Sequence, residues 1–90
     1  MPVELDKLPQ VVDALVRIGA RKVILFGSAA EAPDRAHDID LAVEGIPPER
    51  ILDADVAVMD ILAQPFDLVA RELNPGFYAV VERYGRVLYG

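Results

Sequence analysis

Asp38 and Asp40, separated by one residue, have the type and spacing that point most directly to chemistry in this chain. On an extended strand, residues two apart project from one face, with Cα atoms about 6–7 Å apart. Two carboxylates that close repel each other when ionised, and a divalent cation relieves the repulsion. Carboxylate oxygens are hard ligands suited to magnesium or manganese, and magnesium bound this way keeps positions open for triphosphate oxygens. Upstream, Gly27-Ser28 ends an apolar run, and nine residues separate Ser28 from Asp38. Gly27 lets the backbone turn sharply. Ser28 then stands at the start of a helical turn, where a hydroxyl and open N–H groups can meet a phosphate. Asp67 lies between Phe66 and Leu68 in another strand-like run, facing away from its apolar neighbours. It is the candidate third carboxylate of a two-metal site. Nucleotidyl transfer asks for little more than positioning, metals and a place for the nucleophile. Asp53-Ala54-Asp55 repeats the spacing, but in a helical context that reads as a solvated face.

The rest of the polar inventory narrows the choice. Ser28 is the sole serine, His37 the sole histidine, and threonine and cysteine are absent. Disulfides, thiolate zinc sites and histidine-rich metal sites are thereby excluded. A serine triad would have to use Ser28 and His37, without the G-x-S-x-G elbow. Carboxylate is plentiful, with fifteen Asp and Glu against nine Lys and Arg. The net charge of −6 and the scattered cations argue against general nucleic-acid binding. Arg71 could reach a phosphate or stand in solvent.

The elements that must carry these residues read as α-β-α-β-α-β-α-β. Leu8, Val11, Val12, Leu15 and Ile18 recur at helical spacing, so a helix is expected over 6–18, stopped by Gly19. Lys22–Phe26 is a short apolar strand. Ser28 and Glu31 have the spacing of a capping box for the short helix that follows. A strand over 38–43 turns Asp38, Asp40 and Ala42 to one face and Ile39, Leu41 and Val43 to the other. Pro47-Pro48 opens a helix over 47–63. Phe66–Ala70 is the third strand. Asn74, as N-cap, starts a helix whose apolar stripe is Phe77, Val80, Val81 and Tyr84, ended by Gly85. Residues 87–89 form a last strand. The segment between the first two strands is too short for a crossover helix. The expected fold is therefore α/β of the α+β kind, a small mixed or antiparallel sheet of about four strands with the helices on one face.

A chain of 90 residues has room for one domain, 1–90, and 53% hydrophobic residues suffice for a core. No apolar run approaches the ~20 residues of a membrane span. The Met1-Pro2-Val3-Glu4 start lacks the features of a signal peptide, which makes the cytoplasm the expected location.

The stretch Val23-Ile24-Leu25-Phe26-Gly27-Ser28, followed by His37-Asp38-Ile39-Asp40-Leu41-Ala42-Val43, resembles the polymerase-beta-like nucleotidyltransferases. It is most similar to their smallest members, the minimal nucleotidyltransferase antitoxins. Phe66-Asp67-Leu68-Val69, Leu73-Asn74-Pro75 and Gly85-Arg86-Val87-Leu88-Tyr89 extend the likeness along nearly the whole chain. The resemblance implies a nucleotidyltransferase fold in which Gly27 and Ser28 hold the triphosphate of ATP. Asp38, Asp40 and Asp67 would bind magnesium or manganese, and Asp67 would activate the acceptor hydroxyl. It implies a HEPN toxin as protein partner, in a hetero-oligomer or beside a homo-oligomer, with AMP passing to a toxin tyrosine. Ala29 stands where the family commonly has arginine, Ala32-Pro33 where it has a loop glycine, and His37 where it usually has serine. The Ala29 and Ala32 departures favour a second reading, a weak or inactive nucleotide-binding antitoxin that acts by contact alone.

Overall fold

The structure, a computed structural model, describes residues 4–90. Residues 1–3, part of the expectation about the N-terminus, lie outside the described residues. The elements run α1 (Leu8–Ile18), β1 (Lys22–Phe26), α2 (Ser28–Glu31), β2 (Ile39–Glu44), a 3-10 turn (Pro48–Arg50), α3 (Ile51–Leu62), β3 (Phe66–Ala70), α4 (Pro75–Tyr84) and β4 (Arg86–Tyr89). The sheet order is β3-β2-β1-β4. β1 pairs antiparallel with β2 and β4, as the short β1–β2 connection requires, whereas α3 carries the chain back so that β3 runs parallel to β2.

Helices cover both faces of this sheet, not one as expected. Val23, Ile24 and Leu25 are all buried in β1, and Leu41, Ala42 and Val43 in β2. A strand buried on both sides needs cover on both sides. On one face, Val23, Leu25, Ile39, Leu41 and Val43 pack with Leu8, Val11 and Leu15 of α1, Ala29 of α2, and Ala54, Val58 and Leu62 of α3. On the other, Ile24 and Ala42 pack with Tyr78 and Val81 of α4. The expected α4 stripe is corrected accordingly. Val81 is core, but Phe77, Val80 and Tyr84 are exposed, and Tyr78 is the aromatic residue that enters the core.

Two expected caps are also absent. Gly27 occupies the N-cap of α2, which makes Ser28 the first helical residue and leaves no capping box with Glu31. Asn74 does occupy the N-cap of α4 but makes no side-chain hydrogen bond there. α1 starts at Leu8 because Asp6 and Lys7 form a turn. The far end of the α4-covered face is closed by polar contacts. Tyr78 Oη donates to Glu44 Oε1 at 3.2 Å, and Lys22 Nζ reaches Glu82 Oε2 at 2.8 Å. Burial, and then the Glu44 carboxylate, hold the Tyr78 phenol well above its ordinary pKa, so it stays a neutral donor.

Candidate nucleotide site at the open end of the sheet

α4 covers only part of its face. The end where β1 finishes and β2 and β3 begin is left open, and the expected acids collect there. Asp40 is directly opposite Phe26 on β1 and opposite Asp67 on β3. Residues in register on neighbouring strands share a face, so the Asp40 and Asp67 side chains stand side by side. The Ile39 N–H donates to the Pro65 carbonyl at 3.1 Å, which locks the two strand starts together. Asp38 lies in a bend one residue before β2, not within the strand as expected, but it is close enough for its charge to act on Asp40.

Asp40 lies within the field of both other acids. Asp40 is half-buried and its pKa is raised, first by burial, then by the charge of Asp67, then by that of Asp38. Asp55 on α3 joins the same field. It is half-buried, and burial followed by the Asp67 charge raises its pKa. The reading of Asp53-Ala54-Asp55 as a solvated face therefore holds for exposed Asp53 but not for Asp55. The available signal was its place next to Ala54 and three residues before Val58, both buried, which sets Asp55 at the edge of the inward face.

Gly27 ties the turn to the acids. Its φ of 69° and ψ of −155° belong to a region open to glycine alone. A β-carbon there would collide with Asp40 Oδ2. The backbone preceding Ser28 thus lies directly against the central carboxylate, and both Gly27 and Ser28 are exposed. Gly27→Ala is expected to cost on the order of 1–3 kcal/mol from backbone strain alone. A thermal melt should show it, since ~1 kcal/mol shifts Tm by roughly 4–8 °C in a domain of this size. Adding Asp40→Ala should recover the part due to collision. No drop in Tm for Gly27→Ala would mean that the turn relaxes freely.

The other residues singled out divide clearly. Ala29 is buried in the core, so the position after Ser28 serves packing in this chain. His37 is exposed in the bend before Asp38. Arg71 follows β3, four strand positions and about 13 Å from Asp67. Its charge acts on Tyr78 and Glu82, toward the opposite end of the sheet from Asp67. Phe77 packs edge-on against Phe26, with ring centroids 5.7 Å apart, and forms an apolar rim next to Asp40. A separate shallow cleft between α1 and β4, lined by Leu8, Pro9, Val12, Asp13 and Leu88, includes none of these acids.

The donor set can be tested against a divalent cation. It is all carboxylate oxygen, as a hard cation prefers. Among the described residues, however, no three His, Asp or Glu side chains are gathered closely enough to enclose an ion. Magnesium usually takes one or two carboxylates and fills its remaining positions with water and substrate phosphate. The open set here fits that use and not a closed protein cage.

A four-stranded mixed sheet with this order, carrying Gly-Ser after β1 and acids at the starts of β2 and β3, is consistent with the nucleotidyltransferase fold. Among solved structures, the chain is similar to a chain of the toxin-antitoxin MntA-HpeT crystal structure, with a TM-score of 0.72 and 21% identity, covering 98% of this chain and 73% of that one. The resemblance read from the sequence holds at the level of fold. No protein-family model and no curated protein matches the chain.

Proposed function

We propose that this domain is an antitoxin-type nucleotidyltransferase that transfers AMP from ATP to a hydroxyl on a protein partner, a tyrosine of a HEPN toxin. The observation that carries the proposal is the register pairing of Asp40 with Asp67 beside the Gly27-Ser28 turn. Ser28 and the first N–H groups of α2 bind triphosphate oxygens. Asp38 and Asp40 would hold a magnesium ion, which would supply charge neutralisation at the phosphates. Asp67, exposed on the edge strand, takes the proton of the incoming hydroxyl. That hydroxyl then attacks the α-phosphorus, the bond to the β-phosphate oxygen breaks, and pyrophosphate leaves with the electron pair.

Mass spectrometry tests the reaction directly. Incubating the purified domain with a co-encoded small helical partner, ATP and magnesium should add the mass of one or more AMP groups to the partner. Unchanged partner mass, with the two proteins still bound, favours the second reading. One observation supports that alternative: buried Ala29 puts a packing residue where the resembling family carries a phosphate-binding arginine. In that case the domain neutralises its partner by contact.

A further inference from the structure

Two helices leave apolar stripes in solvent. On α3 the stripe is Leu52, Val56 and Met59, with Leu52 73% exposed. On α4 it is Phe77, Val80 and Tyr84, with Tyr84 74% exposed. Contiguous exposed apolar surface on a small domain marks an interaction site. α3 and α4 belong to the cores on opposite faces of the sheet, so the two stripes look away from one another. Each spans eight residues, seven steps or about 10 Å of helix.

Their flanking charges are opposite. α3 carries Asp53, Asp55 and Asp60 and no basic residue. Asp60 borders the stripe; Asp53 borders it too, but its carboxylate is engaged by Arg50 at 3.5 Å, which leaves Asp60 to set the charge of this flank. The α4 stripe is bordered by Arg83, stacked over the Tyr84 ring at 5.9 Å, with Arg86 just past the helix end. Glu82, the acid of α4, is engaged by Lys22. Pairing α3 with α3 would bring Asp against Asp, and pairing α4 with α4 would bring Arg against Arg. Only α3 against α4 joins two apolar ridges of equal length with opposite charges alongside.

We propose that the domain self-associates head to tail, the α4 stripe of one copy seating on the α3 stripe of the next. The contact joins two different surfaces, so it is heterologous. It continues into a ring or an open chain and does not stop at a two-fold dimer.

Light scattering and sedimentation of the purified chain test this. The wild-type mass should rise with concentration past the dimer, and less so at high salt, which screens the charged flank. Val56→Asp and Val80→Asp change exposed positions and should leave circular dichroism unchanged, while each variant becomes monomeric. Mixed one to one, they should form a dimer and go no further, because each retains the stripe that the other has lost. Three results would overturn the proposal. A wild type monomeric at every concentration would leave the stripes to a different protein. Growth that ends at a dimer and survives Val56→Asp would mean α4 pairs with α4. A mixture that stays monomeric would show that the two stripes do not recognise each other.

Discussion

Magnesium and ATP added together should raise the melting temperature of the domain strongly, while either alone should do little. The two carboxylates opposite the Gly27 turn are mutually repulsive, and burial raises Asp40 further. The cation without phosphate finds too few ligands here, and the triphosphate without the cation meets carboxylates of its own sign. Joint binding at a hundred times its dissociation constant contributes about 2.7 kcal/mol to stability. In a domain of this size that is roughly 10–20 °C of Tm. Asp38→Asn combined with Asp40→Asn should abolish the rise. The free double variant should melt no lower than wild type, because asparagine removes the repulsion that the native site carries without a ligand. A double variant that retains the full rise would remove these acids from the site.

The second expected result separates Asp67 from the pair on the β2 side. If Asp67 receives the proton of the acceptor, Asp67→Asn should leave nucleotide affinity nearly intact and lower turnover by ~10²- to 10⁴-fold, the range of a general base. Asp38→Asn should lose affinity and turnover together. A nucleotide titration and a partner-modification assay on each variant distinguish the roles. Equal affinity loss in both would make Asp67 a plain metal ligand, and full activity in Asp67→Asn would place it outside the chemistry. Asp55→Asn is a useful companion. Asp55 sits on α3 and not on the sheet, and its own pKa is raised by burial and by the Asp67 charge, so its loss should lower turnover far less than the loss of Asp67.

The strands were legible in the sequence because their signals are local. Lys22–Phe26 and Phe66–Ala70 were bounded correctly from apolar runs that end at Gly27 and at Arg71. The alternation in β2 separated Asp40 from Ile39 and Leu41, and the short β1–β2 connection required antiparallel pairing. What is set by packing between distant elements was harder to read. α4 carries two apolar stripes, Phe77-Val80-Tyr84 and Tyr78-Val81, and period alone does not say which one turns inward. Gly85, whose added β-carbon would strike Ile24, favours the Tyr78 side by letting the helix end approach β1 closely. The expected stripe of Phe77, Val80, Val81 and Tyr84 shares only Val81 with the observed core, and a short β1–β2 connection does not say on which face a later helix such as α4 packs. The pairing of Asp40 with Asp67 was expected as adjacency; the parallel register that produces it depends on where the chain leaves α3. There Ala63 adopts a left-handed conformation (φ 51°), a role usually given to glycine.

The acids are divided between strands of unequal permanence. β2 is central, paired on both sides and almost wholly buried, whereas β3 is an edge strand in which only Ala70 is buried. Backbone amides at an edge with little buried surface exchange their hydrogens through openings that cost far less than global unfolding. Asp40, within β2, therefore persists through openings of the kind that reach Asp67. On the proposed reading, a nucleotide gripped from the β2 side would outlast many such openings, and a protein partner laid across β3 would suppress them. Docking would then hold the acceptor-side acid in place by keeping one strand closed, with no rearrangement of the nucleotide grip.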